Sequence, residues 1–341
     1  MLRKIRVVQY GCGFMGCNIV RLLLKKPNIE IVGAIDIVNV GNDLGEVAGI
    51  NRKLGVLISK DEDTVLNHGR PNIVLHATSS ILQDVYPQLE KVIRAGIHII
   101  STNEELSYPY KKQPELAATI DKLAKEHQVT VLASGVNPGF LMDIWPLVMT
   151  AVCQDVKQIR VVRIQDASTR RIPFQKKIGA GKTTEEFNKL VESGTLRHVG
   201  LAESIAMIAA GLEWELDEIT DTIEPIIAKA EVRSSFVTVR PRQVAGVKQV
   251  GYGWKDGKAI IIQDFQAYIG AKESYDAVYI TGTPDMEVSI KGGVHGDIAT
   301  AAIIVNSIKR VLDAPPGLVT MKDLPIICAM QSNVEERDVK K

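Results

Sequence analysis

Gly11-Cys12-Gly13-Phe14-Met15-Gly16 follows an apolar run and opens a helical pattern, and Asp36 comes 20 residues after Gly16. That spacing suits the binding of a dinucleotide. Gly11 permits a tight turn, Gly13 lets backbone approach a pyrophosphate, and Gly16 lets helix and strand pack closely. The helix N-terminus then turns partial positive charge toward the phosphates. Cys12, Phe14 and Met15 complete the loop. Asp36 can accept hydrogen bonds from both adenosine ribose hydroxyls and would repel a 2′-phosphate. Ile37, Val38 and Asn39 supply no arginine for such a phosphate. NAD is therefore the expected cofactor, with NADP as the second choice. A bare strand-helix turn that needs glycine is the bland alternative, and the placement of this loop argues against it.

Three further segments end apolar strands, at the edge where open parallel sheets bind ligands. In the first, Ala77, Thr78 and Ser79 either border the nicotinamide and its ribose or serve as ordinary turn residues. The second holds Asn103, expected beside the cofactor, and the adjacent acids Glu104 and Glu105. A carboxylate partly desolvated there can act as base or acid and hold an amine or iminium by charge. A solvated or helix-capping acid is the other reading, and spacing does not rank the two residues. In the third, Asn137 before Pro138 can bond a substrate carboxylate or the nicotinamide carboxamide, or simply favour a turn.

Farther on, Arg160 and Arg163 lie three apart on a strand and so point to opposite faces. One of them can grip a substrate carboxylate bidentately. His198 starts a helix, where a cap or core role is the ordinary one. Lys176, Lys177 and Lys182 mark a basic loop that lacks the spacing of a phosphate-binding P-loop. The four cysteines Cys12, Cys17, Cys153 and Cys328 form no CxxC pair, so neither zinc nor a disulfide framework is expected. Cys12 and Cys17 read as small apolar packing residues.

These residues must be positioned by regular elements. Up to residue 135, strand-like runs (5–10, 29–36, 73–78, 97–101, 129–133) alternate with helical ones (15–24, 83–95, 114–127). That alternation implies a parallel sheet with crossover helices. Helical patterns follow at 142–152, 184–193 and 200–212, with a strand at 157–165. Strand candidates then crowd together at 222–239, 243–254, 259–268, 277–281 and 286–290, spaced like an antiparallel sheet. Residues 297–312 form a last apolar helix with Asp297 as N-cap. The fold class is thus α/β: a Rossmann-type parallel sheet with a second α+β domain built on a largely antiparallel sheet. The domains are read as 1–140 for the cofactor, with helix 297–313 packed back on it, and 141–296 for substrate and dimerisation. Residues 314–341 form a C-terminal segment whose charged tail, from Ser332, reads as mobile.

The chain has 341 residues, with 41 Lys plus Arg against 40 Asp plus Glu. Such a balance argues against binding nucleic acid through overall charge. Residues 1–10 lack a signal-peptide pattern, and no apolar stretch reaches the ~18 residues of a membrane helix. A cytoplasmic protein with reduced thiols, without a nucleic-acid or membrane partner, is expected. A homodimer is expected because a large sheet with an apolar face needs a cover.

The chain resembles the 2,4-diaminopentanoate dehydrogenases and the related native amine dehydrogenases. The likeness rests on the GCGFMG loop with Asp36, on "STNEELSYP", "ASGVNPGF", "KKIGAGKTTEEF", "GTLRHVGLAES" and "GGVHGDIATAA". Wider relatives are dihydrodipicolinate reductase-like proteins of two-domain plan. The resemblance implies NAD(P)-dependent oxidative deamination of 2,4-diaminopentanoate to 2-amino-4-oxopentanoate and ammonia, reversible as reductive amination. It matches Glu104 to the family's catalytic acid, and it needs no metal. It makes Asn137, Arg163, Gln165 and His198 the residues expected to bind the amino-acid end. An imine reductase and a non-catalytic NAD-binding protein are the alternatives.

Overall fold

The computed structural model describes residues 4–331. The charged tail from Ser332 lies outside the described residues. The chain divides into two compact units: one runs to Phe140 and resumes at Gly296, and the other is Leu141–His295.

In the first unit, strands β1 (Ile5–Tyr10), β2 (Ile29–Ile35), β3 (Ile58–Ser59), β4 (Ile73–His76), β5 (His98–Ser101) and β6 (Thr130–Ala133) alternate with helices. The helices are α1 (Phe14–Leu23), α2 (Leu44–Val47), α3 (Glu62–His68), α4 (Leu82–Arg94) and α5 (Pro114–Glu126). The central strands are almost fully buried: Val7, Val8, Val74, Ile99 and Val131 are 0% exposed. Burial on both faces is what a parallel sheet between helix layers requires.

In the second unit, helices α6 (Ile144–Thr150), α7 (Ile172–Lys177), α8 (Thr184–Glu192) and α9 (Leu201–Gly211) accompany a six-stranded sheet. Its strands are β7 (Asp155–Asp166), β8 (Glu218–Ile227), β11 (Val244–Lys255), β12 (Lys258–Tyr268), β13 (Tyr275–Thr283) and β14 (Met286–Lys291). A separate ladder pairs β9 (Val232–Arg233) with β10 (Thr238–Val239). The sheet order is β14-β13-β7-β12-β11-β8. Every pairing is antiparallel except β12 with β7. Asp256 and Gly257 both take positive φ between β11 and β12, as a tight hairpin demands. The strand expected over 222–239 is interrupted: β8 stops at Ile227, and Ser234 and Phe236 fall in a turn between the two short strands.

The chain then returns to the first unit as helix α10 (Gly296–Leu312) and strand β15 (Gly317–Val319). The helix starts one residue earlier than expected, so Asp297 lies in its first turn instead of capping it. Strand β15 adds a parallel edge beside β6. The completed order is β15-β6-β5-β4-β1-β2-β3, which reverses direction between β1 and β4. That reversal opens a ligand crevice beyond the carboxyl ends of those strands. Among the described residues, no helix is long and apolar enough to cross a membrane.

Candidate active site

The glycine loop joins β1 to α1. Gly11 has φ +86°, and a Cβ there would lie 2.3 Å from the Ala77 carbonyl oxygen. The loop therefore touches the turn after β4 directly, across the switch point. A Cβ on Gly16 would lie 1.9 Å from the Gly11 oxygen, so only glycine lets α1 start so close to β1. A Cβ on Gly13 would meet nothing within 4 Å. Gly13 caps α1 without any side-chain hydrogen bond. Exposed Gly13 and Phe14 and half-buried Met15 form the tip, while the Cys12 side chain turns inward. Open space in front of the N-terminus of α1 fits a pyrophosphate.

Asp36 is half-buried at the end of β2. It accepts from the Cys12 and Val38 amides, the latter at 2.8 Å. Ile37 and Val38 beside it are 88% and 59% exposed, an apolar surface suited to an adenine. Burial pushes the Cys12 thiol up to about 12, with Asp36 adding to the shift, so this residue is an inert packing group. The described residues thus fit a dinucleotide along the glycine loop and Asp36.

At the next turn, Thr78 is exposed and Ala77 and Ser79 are half-buried. Ser79 accepts from the Ile81 amide at 3.2 Å, so it also shapes the entry to α4. Beneath this turn His76 is 1% exposed. Its Nδ1 meets Ser101 Oγ at 2.9 Å and its Nε2 meets Gln88 Oε1 at 2.8 Å. Burial lowers its pKa to about 4, so the ring is neutral. Sequence spacing gives no sign of this network, because its members come from β4, α4 and β5.

The paired acids separate in the structure. Glu105 is 4% exposed. Its Oε2 accepts from the Leu82 amide at 2.8 Å and from Gln113 Nε2 at 2.9 Å, and Lys112 pairs with Oε1. It is the cap of α4 and is fully engaged in the fold. Glu104 stays half-buried at the carboxyl edge. Its carbonyl accepts from the Ser107 hydroxyl at 2.6 Å, which fixes its backbone. Asn103, expected beside the cofactor, points its side chain inward. It is 1% exposed, and its side chain bonds the Ser79 oxygen at 2.8 Å and the Leu106 amide at 2.8 Å. This side chain braces two turns. Asn137 is half-buried in the turn after β6, and the neighbouring Val136 amide donates to Thr300 of α10 at 3.2 Å.

In the second unit, Arg163 and Gln165 come together on one backbone group. Arg163 Nη2 and Gln165 Nε2 both donate to the Val294 oxygen, at 2.7 and 3.1 Å. Arg163 Nη1 pairs with Asp276, and both side chains are almost wholly buried, at 2% and 3% exposure. Asp276 also accepts from the Val294 amide at 2.7 Å. Burial pushes the Asp276 carboxyl up, and the Arg163 charge pulls it back. Arg163, expected to grip a substrate carboxylate, thus pairs with Asp276 and holds the Val294 backbone. Arg160, on the opposite face, is half exposed. The His198 ring packs on Phe265 at 4.6 Å between centroids. Burial, then the Lys177 and Arg163 charges, lower its pKa to about 3. Among the described residues, no three His, Cys, Asp or Glu side chains group to hold a metal.

A parallel sheet with a glycine loop, an acid closing its second strand and a carboxylate at its carboxyl edge defines a dinucleotide-dependent oxidoreductase. Residues 140–340 match the 2,4-diaminopentanoate dehydrogenase C-terminal domain, and residues 5–133 the dihydrodipicolinate reductase N-terminus. The chain is 35% identical to the 2,4-diaminopentanoate dehydrogenase of Acetoanaerobium sticklandii, over 98% of this chain and 97% of that one. It is 25% identical to the amine dehydrogenase of Streptomyces virginiae, over 94% and 96%. The solved amine dehydrogenase of Mycobacterium smegmatis superposes with a TM-score of 0.84 at 26% identity, covering 96% of this chain and 98% of that one. The chain belongs to the 2,4-diaminopentanoate dehydrogenase family, amine dehydrogenases acting on CH–NH2 groups.

Proposed function

We propose that this protein deaminates 2,4-diaminopentanoate oxidatively to 2-amino-4-oxopentanoate and ammonia, in ornithine degradation. The reverse reaction aminates ketones. The observation that carries the reading is the place of Glu104, half-buried on the turn at the carboxyl edge of β5. The full-length likeness to a diaminopentanoate dehydrogenase supports the substrate.

NAD, with NADP second, is the proposed cofactor, held by residues 11–16, Asp36 and the 77–79 turn. It supplies a two-electron hydride acceptor when bound. Glu104 takes a proton from the C4 ammonium and passes it to solvent, so that the neutral amine is presented to a carboxylate that is ionised again. Loss of hydride from C4 leaves an iminium, which the carboxylate stabilises by charge. Glu104 then accepts the proton of the attacking water. One C–H and one C–N bond break, one C=O bond forms from water, and one net proton is released alongside ammonium. Asn137, Gln165 and His198 are the proposed contacts for the amino-acid end.

A second copy of the chain is the proposed cover of the second sheet. Its helices pack on the face carrying Ile159, Val161 and Phe265. By strand alternation the opposite face carries Val162, Val250, Tyr252, Ile262 and Tyr279. A cytoplasmic location accords with four free cysteines.

The test is NAD reduction at alkaline pH with 2,4-diaminopentanoate, for wild type and Glu104→Ala. Wild-type turnover and a loss on the order of 10²–10⁴-fold in the variant are expected. NADH binding should persist in both. Clear NADH binding with no activity toward any amine would sink the reading and favour an imine reductase.

A further inference from the structure

The turn that presents Glu104 and the turn after β4 are joined beneath the surface by a continuous chain of hydrogen bonds. It starts on α4. Gln88 Oε1 accepts from the Thr78 hydroxyl at 2.9 Å and contacts His76 Nε2 at 2.8 Å. A carbonyl oxygen only accepts, so Nε2 carries the imidazole proton and Nδ1 is left as the acceptor. The Ser101 hydroxyl therefore donates to Nδ1 at 2.9 Å. Its oxygen accepts in turn from the Asn103 amide at 3.1 Å. The Asn103 side chain then reaches both turns, donating to the Ser79 oxygen and accepting from the Leu106 amide, each at 2.8 Å. His76, Ser101 and Asn103 are each no more than 1% exposed.

Chemistry at a sheet edge depends on the separation between the turn facing the cofactor and the turn holding the acid. Here the buried Asn103 side chain bridges the two turns, beside the Glu105 amide on the Ser80 oxygen and the Glu105 carboxylate on the Leu82 amide. We propose that Asn103, anchored through Ser101 to His76, is the positioning residue that fixes Glu104 relative to the 77–79 turn. The proposal rests on the assignment of Glu104 as the acid–base group. Low exposure of His76, Ser101 and Asn103 leaves little water to replace a bond broken among them. In this role Asn103 acts through Glu104.

The experiment compares wild type, Asn103→Ala and Asn103→Asp by steady-state kinetics with 2,4-diaminopentanoate and by NADH titration. The isosteric Asp keeps the acceptor for the Leu106 amide and sets a carboxyl oxygen against the Ser79 oxygen, a contact that is bonding only when the Asp is protonated. A misplaced catalytic group can cost on the order of 100-fold in rate. Asn103→Ala should lose that much in kcat, Asn103→Asp should recover part of it, and the amine KM and NADH Kd should stay near wild type in both. A parallel fall of kcat and NADH affinity would mean general damage and overturn the positioning role. So would an undiminished kcat in Asn103→Ala. An inactive wild type would instead overturn the reaction itself, and the role of Asn103 with it. Asn103→Asp keeps the test open should the alanine variant fail to fold.

Discussion

At the carboxyl edge of the parallel sheet, Asp36, Thr78 and Glu104 stand half-buried or exposed on turns that follow strands. In the second sheet, Arg163 and Asp276 face each other within paired strands and are almost wholly buried. The two units place charge differently because their sheets differ. The parallel strands enclose neutral polar groups such as Gln9 and His76, while the candidate acids Asp36 and Glu104 lie where the ladder stops. A sheet with helices on one face can enclose a charge along a strand, provided a partner lies opposite. Chemistry thus gathers at strand ends in the first unit, while ionic groups of the second lock its architecture.

That contrast is sharpest where the pair is broken. Arg163→Met leaves the Asp276 carboxylate buried with only the Val294 amide, and orphans the Val294 oxygen from its charged donor. The expected loss is about 3–5 kcal/mol in urea unfolding. Adding Asp276→Leu should restore much of it, because an apolar pair of similar volume replaces the ions without an uncompensated charge. A single variant costing less than about 1 kcal/mol, the range of exposed ion pairs, would show that the pair is not structural.

The acid pair brings the same contrast within a single turn. Glu105→Ala removes the acceptor of the Leu82 amide and the partner of Lys112 and Gln113. We expect a stability loss on the order of 1–3 kcal/mol for the orphaned buried amide. The rate of its folded fraction should fall far less than that of Glu104→Ala. The opposite pattern, with Glu105→Ala stable but inactive, would exchange the roles assigned to the two acids.

How much of this was legible in the chain follows from distance along it. The glycine loop and Asp36 could be read because their geometry is local: strand, turn, helix and the end of the next strand lie within 32 residues of one another. The parallel strands were legible as continuous apolar runs. Strands β3 and β15, with two and three residues, are too short to carry a period. Glu104 and Glu105 could not be ranked from spacing, because what distinguishes them is an amide 23 residues away on α4. Arg163 looked like a ligand anchor because its partner, Asp276, lies 113 positions on, in another strand. Asn103 was drawn toward the cofactor by its neighbours, although its own bonds run inward.

The smallest expected effect is a shared one, and it sharpens the comparison by finding the same behaviour in both units. Burial holds His76 at about 4 and His198 at about 3, against 6.5 for an exposed histidine. His98 is lowered by burial as well. Below pH 6.5 the unfolded chain takes up protons that these native rings refuse. Stability therefore rises with pH where the unfolded state binds more protons. It is fully present above about 6.5 and is lost as pH falls toward 4. Carboxylates held below their usual range, such as Asp43 and Asp61, add their loss only at lower pH. The thermal midpoint should thus decline between pH 6.5 and 4, before carboxylates protonate. Replacing His198 by Gln should flatten that decline by the share of one proton. So should replacing His76, whose neutral ring belongs to the bonded chain under Glu104. A midpoint constant across that window would mean that both rings take a proton within the folded protein. The tautomer assigned to His76, which directs the Ser101 hydroxyl, would then be wrong.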